Sequence, residues 1–264
     1  MKILIVFALL PAFFQTAYAK PNKGFALYLL PPKIRAADLG RLDVTKLKPE
    51  GRPFLTGVDY YLYNRDLNEM NIIYTAVDRL KNLRVPASGR PFAVFVDDAP
   101  VYAGAFFRGP APAAFGGVAI DLSTFTENNP VLKFGLDPQS AAADPRSDER
   151  LMRAFLEKSK LYEEVWIYGK CRNIEPTYKH VPSFVYTFAV TKIVRGALKA
   201  AEVRFEISSY SPSRLDRLLG TKSEPTDESG RRPKFDAEKT LLLKFIRRVG
   251  GPDDEVHLHG EEAL

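Results

Sequence analysis

The sequence predicts an α+β fold in two parts: a small antiparallel sheet with one helix, in the order β-β-α-β-β, followed by a five-stranded OB-like β-barrel. Three observations carry this expectation. Residues 57–122 hold strand-like runs on either side of one amphipathic stretch that opens with a helix-start signal. Within them, 91–96 (PFAVFV), Asp97-Asp98 and 100–107 (PVYAGAFF) read as a hairpin. Beyond residue 147, five further strand-like runs enclose a single short helical pattern, as in a small barrel.

Taken in order, 25–30 reads as a short strand ended by Pro31-Pro32. Residues 20–56 otherwise form a basic arm, broken by Pro49, Gly51 and Pro53. The run 58–64 (VDYYLYN) alternates, with Val58, Tyr60 and Leu62 on one face, and 69–74 places Met70, Ile72 and Tyr74 together. Thr75 and Asp78 resemble a capping box, after which Ala76, Val77, Leu80 and Leu83 line one helical face. The loop 109–117 is rich in Gly, Pro and Ala, and 118–122 is a further strand. The helix leaves the other face of this sheet open to solvent or to a partner.

Residues 123–146 read as a linker. Ser147-Asp148-Glu149 opens a helix striped by Leu151, Met152, Phe155 and Leu156. The barrel strands follow at 165–171, 184–194, 203–208, 239–247 and 255–259, with a short helix at 211–220 and a polar loop at 221–237.

Of the 264 residues, 45% are hydrophobic and 27% charged, as expected of a folded globular chain, and the formal charge is +6. Met1-Lys2, the apolar run 3–10 with its continuation 12–14, and Ala17-Tyr18-Ala19 form an export signal over 1–19, cleaved after Ala19. Broken by Pro11, it is too short to span a bilayer. The protein is therefore expected in the periplasm or outside the cell, without a membrane span after cleavage. A single cysteine, Cys171, excludes an internal disulfide, and three histidines leave little material for histidine catalysis.

His257 and His259 share one face of the last strand at a spacing that suits zinc or copper, with Asp253, Asp254 and Glu255 nearby; the alternative is a plain strand beside a polar tail. His180 reads as a loop surface residue, Asp97-Asp98 as turn chemistry, and Cys171 as a small buried hydrophobe. No triad, nucleophile elbow or HExxH motif occurs, so no catalytic residue, cofactor or metal is expected. The candidate partner contacts are Tyr61 and Tyr63 on the sheet, and Arg231, Arg232, Arg247 and Arg248 among the basic stretches. Alternation requires that either Tyr60 or the Tyr61/Tyr63 pair face away from the helix.

Two stretches carry resemblances. Residues 69–122, with a capped helix, GRPFAVFVDD, Ala99-Pro100 and a glycine-rich return, resemble the first periplasmic domain of SecD-type export factors and a wider set of exported bacterial proteins. The membrane spans of a transporter are absent, so motor function does not follow. Residues 164–260, with VWIYG, TKIVRG and KTLLLKF, resemble exported domains related to the netrin/TIMP-type OB barrel, which implies binding rather than chemistry. The N-terminal cysteine by which TIMPs chelate protease zinc is missing. The expectation is an exported, non-enzymatic binding or assembly protein of the bacterial cell envelope, whose partner is another envelope protein. Nucleic acid is not expected as a partner. Alternatives are binding of an anionic glycan or lipid headgroup by the basic barrel, or hydrolysis of an envelope polymer.

Overall fold

The structure is a computed structural model that describes residues 23–113, 115–136, 144–177, 183–208, 240–250 and 256–258. The predicted export signal, the helix at 211–220 and the loop at 221–237 lie outside the described residues.

The chain is mostly β, and the expected α+β fold is overturned. Every described strand joins one mixed sheet. The strands are β1 (Phe25–Leu29), β2 (Leu55–Thr56), β3 (Tyr60–Asn64), β4 (Glu69–Ile72), β5 (Arg90–Val96), β6 (Ala99–Phe107), β7 (Val118–Asp121) and β8 (Val131–Gly135). They continue with β9 (Leu161–Thr177), β10 (Ser183–Arg195), β11 (Glu202–Ser208), β12 (Thr240–Arg248) and β13 (Val256–Leu258). Their order is β11-β10-β9-β3-β4-β8-β7-β6-β5-β1-β2, with β12 on β9 and β13 on β12. The described helices are α1 (Tyr74–Lys81), α2 (Glu149–Glu157) and three short 3-10 turns.

Two features overturn the separate small sheet. Strand β8 lies inside the stretch expected to be a linker, and it pairs with both β4 and β7. Strand β7 runs parallel to β6, so the sheet is not purely antiparallel. A separate five-stranded barrel is not shown either. Strand β9 pairs with β3 as well as with β10 and β12, and among the described residues β11 and β13 are not hydrogen-bonded to each other.

The first half curls on itself. Strands β1 and β3 stand six steps apart in the sheet, about 29 Å if it were flat. Yet the rings of Phe25 and Tyr60 meet edge-on at 5.5 Å. Phe155 of α2 fills the mouth between them, 5.4 Å from Phe25 and 5.7 Å from Tyr60, and it stacks on Tyr63 at 4.5 Å. The enclosed core runs from Leu27 through Val77, Phe92 and Phe106 to Phe134 and Leu161.

The face expected to be open is covered as well. Ala26, Tyr28, Phe95 and Phe107 pack under Ala36 and Leu39 of the basic arm and under Phe115 of the following loop. Burial on both faces explains why 91–96 is continuously apolar rather than alternating. The arm wraps the sheet through 3-10 turns at Ala36–Arg41 and Val44–Lys46, the second capped by Asp43. In the second half β9, β10, β11 and β12 surround a core of their own around Ile167, Phe188, Phe205 and Phe245.

Candidate functional site

The two halves meet along β9, which changes partner part-way. At Leu161 and Tyr162 it runs parallel to β3, and from Trp166 onward it is antiparallel to β10. In the gap, the Glu164 N–H donates to Asp66 Oδ2 at 2.7 Å, so a side chain continues the ladder that β3 leaves. Gly196 closes the other side at φ +79°, and a Cβ there would stand 2.5 Å from the Glu164 carbonyl oxygen.

Three carboxylates and three guanidinium groups converge on this seam. Buried Glu163 accepts from Arg65 and from Arg247 at 2.5 Å, and buried Glu164 pairs with Arg195 at 2.8 Å. Arg195 also approaches Asp66, at 3.9 Å. The outward ring of Trp166 lies between Arg195 (5.5 Å) and Lys244 (4.5 Å). These carboxylates hold arginines and a backbone N–H. Proton-transfer chemistry at buried Glu163 would first have to break its pair with Arg247.

The apolar surface lies at the other end of β3. A bulge falls between the pairs Tyr60↔Ile72 and Leu62↔Asn71, so Tyr61 is the extra residue and is 64% exposed. Tyr60 and Tyr63 therefore both point inward. Tyr63 is buried, donates to Asn68 Oδ1 at 2.9 Å, and its phenol pKa is raised by burial. It cannot serve as a surface contact in this fold. Val58 (76% exposed), in the turn before β3, and Tyr74 (75%), at the start of α1, each lie two residues beyond the Tyr60↔Ile72 pair, with Ile73 N–H donating to the Asp59 carbonyl between them. Tyr74 leaves the expected core because α1 starts there, with Ile73 as an N-cap that has no side-chain bond, in place of the expected Thr75 box. Lys160 donates to the carbonyls of Gly57 (2.7 Å) and Tyr60 (2.5 Å), and burial lowers its pKa. Arg79 pairs with buried Asp59.

The other expected residues are scattered. Arg247 lies in the seam, and Arg248 stands opposite Tyr162 on β12. Arg231, Arg232, His180 and His259 lie outside the described residues, as does the side chain of His257 on β13. Asp97 and Asp98 take φ of 49° and 60° in a two-residue turn, where Asp97 Oδ1 also accepts the Gly24 N–H at 2.7 Å. Cys171 is fully buried and its thiol pKa is pushed up to about 11 by desolvation.

Sequence reasoning missed Val58 and Tyr74, and it missed Ile193 and Val194, which are also exposed. The available signal for the second pair was Lys192-Ile193-Val194-Arg195, two aliphatics between cations at a strand end. Compared with protein families, curated proteins and solved structures, the chain has no match.

Proposed function

We propose that the protein works by binding rather than catalysis, as an exported assembly component of the cell envelope that makes protein–protein contacts. One observation supports the reading most: three large apolar side chains, Val58, Tyr61 and Tyr74, stand mostly exposed on β3 and on the segments that adjoin β3 and β4. Tyrosines bury large area at small entropic cost and are enriched at interfaces.

The test is a photocrosslinking residue at position 61, compared with one at exposed position 133, in cells that make the protein. The expected outcome is one protein adduct from position 61, with its yield cut about tenfold in a Val58→Ser, Tyr74→Ala background. Adducts that are the same from both positions, or insensitive to those substitutions, overturn the reading.

A further inference from the structure

We propose that the cleft between the β5–β6 turn and α2 binds a peptide amino terminus. Its occupant is the protein's own start at Lys20 once the export signal is removed, an occupancy that rests on the export reading. The cleft, of about 240 Å³, is walled by Gly24 and Asp97 on one side and by Arg150, Arg153 and Glu157 of α2 on the other, with Ala154 between them. Backbone bonds fix its lip. The Gly24 N–H donates to Asp97 Oδ1 at 2.7 Å, and the Asp97 N–H donates to the Gly24 carbonyl at 3.2 Å. Gly24 takes a φ of +90° with nothing within 4 Å of a Cβ, so glycine serves there for the sharp turn by which the chain enters β1.

The charges in the cleft are unmatched. Arg150 is held by Asp148 at 2.9 Å. Arg153 and Glu157, one turn apart on α2, make no hydrogen bond or ion pair among the described residues. A cation four residues before an acid is the weaker order for pairing along a helix, which leaves both groups free. Asp97 uses one oxygen on a neutral N–H and keeps its charge uncompensated. Two carboxylates therefore face one uncommitted guanidinium. An extended amino-terminal segment complements that pattern: its α-ammonium donates to the carboxylates, and its carbonyls accept from the guanidinium.

The protein's own segment is placed to supply these groups. The described residues begin at Lys23, next to Gly24 on the lip, and cleavage after Ala19 leaves Lys20-Pro21-Asn22 ahead of it. Three extended residues reach roughly 10 Å, and Pro21 holds Lys20 extended. A terminus tethered this closely has an effective concentration in the millimolar range, ahead of one arriving from another chain. While the signal remains attached, position 20 carries a neutral amide in place of an ammonium, so the cleft accepts only the processed chain. None of its residues belongs to the exposed corner around Tyr61.

The test is slow acetylation at pH 7 of the protein beginning at Lys20, with the modified amines located by peptide mass mapping. The Lys20 α-amine is expected to react about tenfold more slowly than in Glu157→Gln, with thermal unfolding unchanged. Glu149→Gln, which alters an exposed carboxylate of the same helix outside the cleft, should keep the protection. In a chain that retains Ala17-Tyr18-Ala19 the α-amine should react at the unprotected rate, and the amide resonance of Ala154 should move. Equal rates in the native protein and Glu157→Gln, equal loss of protection in Glu149→Gln, or an Ala154 resonance indifferent to the added tripeptide would each overturn the proposal alone. A start other than Lys20 in protein recovered from the cells that make it would overturn the export reading, and the proposal with it.

Discussion

Cys171 shows what burial does to one ionisable group. The thiol lies in the second core beside Phe188, its cross-strand partner, and donates to the Asn173 carbonyl at 3.6 Å. Its pKa rises from 9.0 to about 11 because the thiolate would lose its water. The thiol form is thus favoured by folding. That contribution is complete below pH 9 and is lost as pH climbs from 9 to 11, where the unfolded chain releases the proton first. The denaturation midpoint should therefore fall across this window more steeply in the native chain than in Cys171→Ala. Alkylation at pH 8 should be slow until denaturant is added. A midpoint with the same slope in both proteins would contradict this account. The burial of Cys171 was legible from strand alternation. The inward turn of Tyr63 was not, since the bulge at Tyr61 resets the period and no local residue announces it.

At the scale of elements, the parallel contact between β6 and β7 depends on an absent side chain. Gly104 faces Val118, and a Cβ there would come within 2.3 Å of the Val118 carbonyl oxygen and 2.5 Å of the Phe92 ring. Backbone cannot retreat without breaking the ladder. Gly104→Ala should destabilise by about 3 kcal/mol in urea unfolding. Gly40→Ala, where nothing stands within 4 Å, should stay within about 0.5 kcal/mol of the native chain. Equal effects would refute the steric argument. Most strands lie where apolar runs placed them, because period and turn residues are local properties. Strand β8 escaped notice since its few residues, Val131–Gly135, follow a stretch of polar residues ended by Pro130. Its place between β4 and β7 is decided by partners some sixty residues before and a dozen before, not by its own composition.

Across the whole molecule, the seam decides whether two cores behave as one. Glu163 is the buried acceptor of two guanidinium groups, one from each half. Glu163→Gln would remove the buried charge that Arg65 and the mostly buried Arg247 share, and should cost about 3 kcal/mol. Arg65→Ala, which removes a side chain that is 45% exposed, should cost no more than about 1 kcal/mol. Calorimetry should show one transition in the native chain and two in Glu163→Gln, as the second half uncouples. A single transition in both would show that the shared backbone of β9 suffices. The sequence divides into two folds on reading because residues 123–146, low in periodicity, look like a linker. The continuity across β9 is a pairing of residues 98 positions apart, which no local pattern encodes.

That same pairing governs when the chain can finish folding. The first strand waits for β5, with Gly24 and Asp97 separated by 73 positions, and β3 waits longer still for β9. Closing such long loops is entropically slow, and few of these contacts reward the chain early. On the export reading proposed above, the chain would have to stay extended until it had crossed a translocase. Here the delay is written into the order of the strands: the mouth that Phe155 stops cannot close until more than half of the chain has emerged.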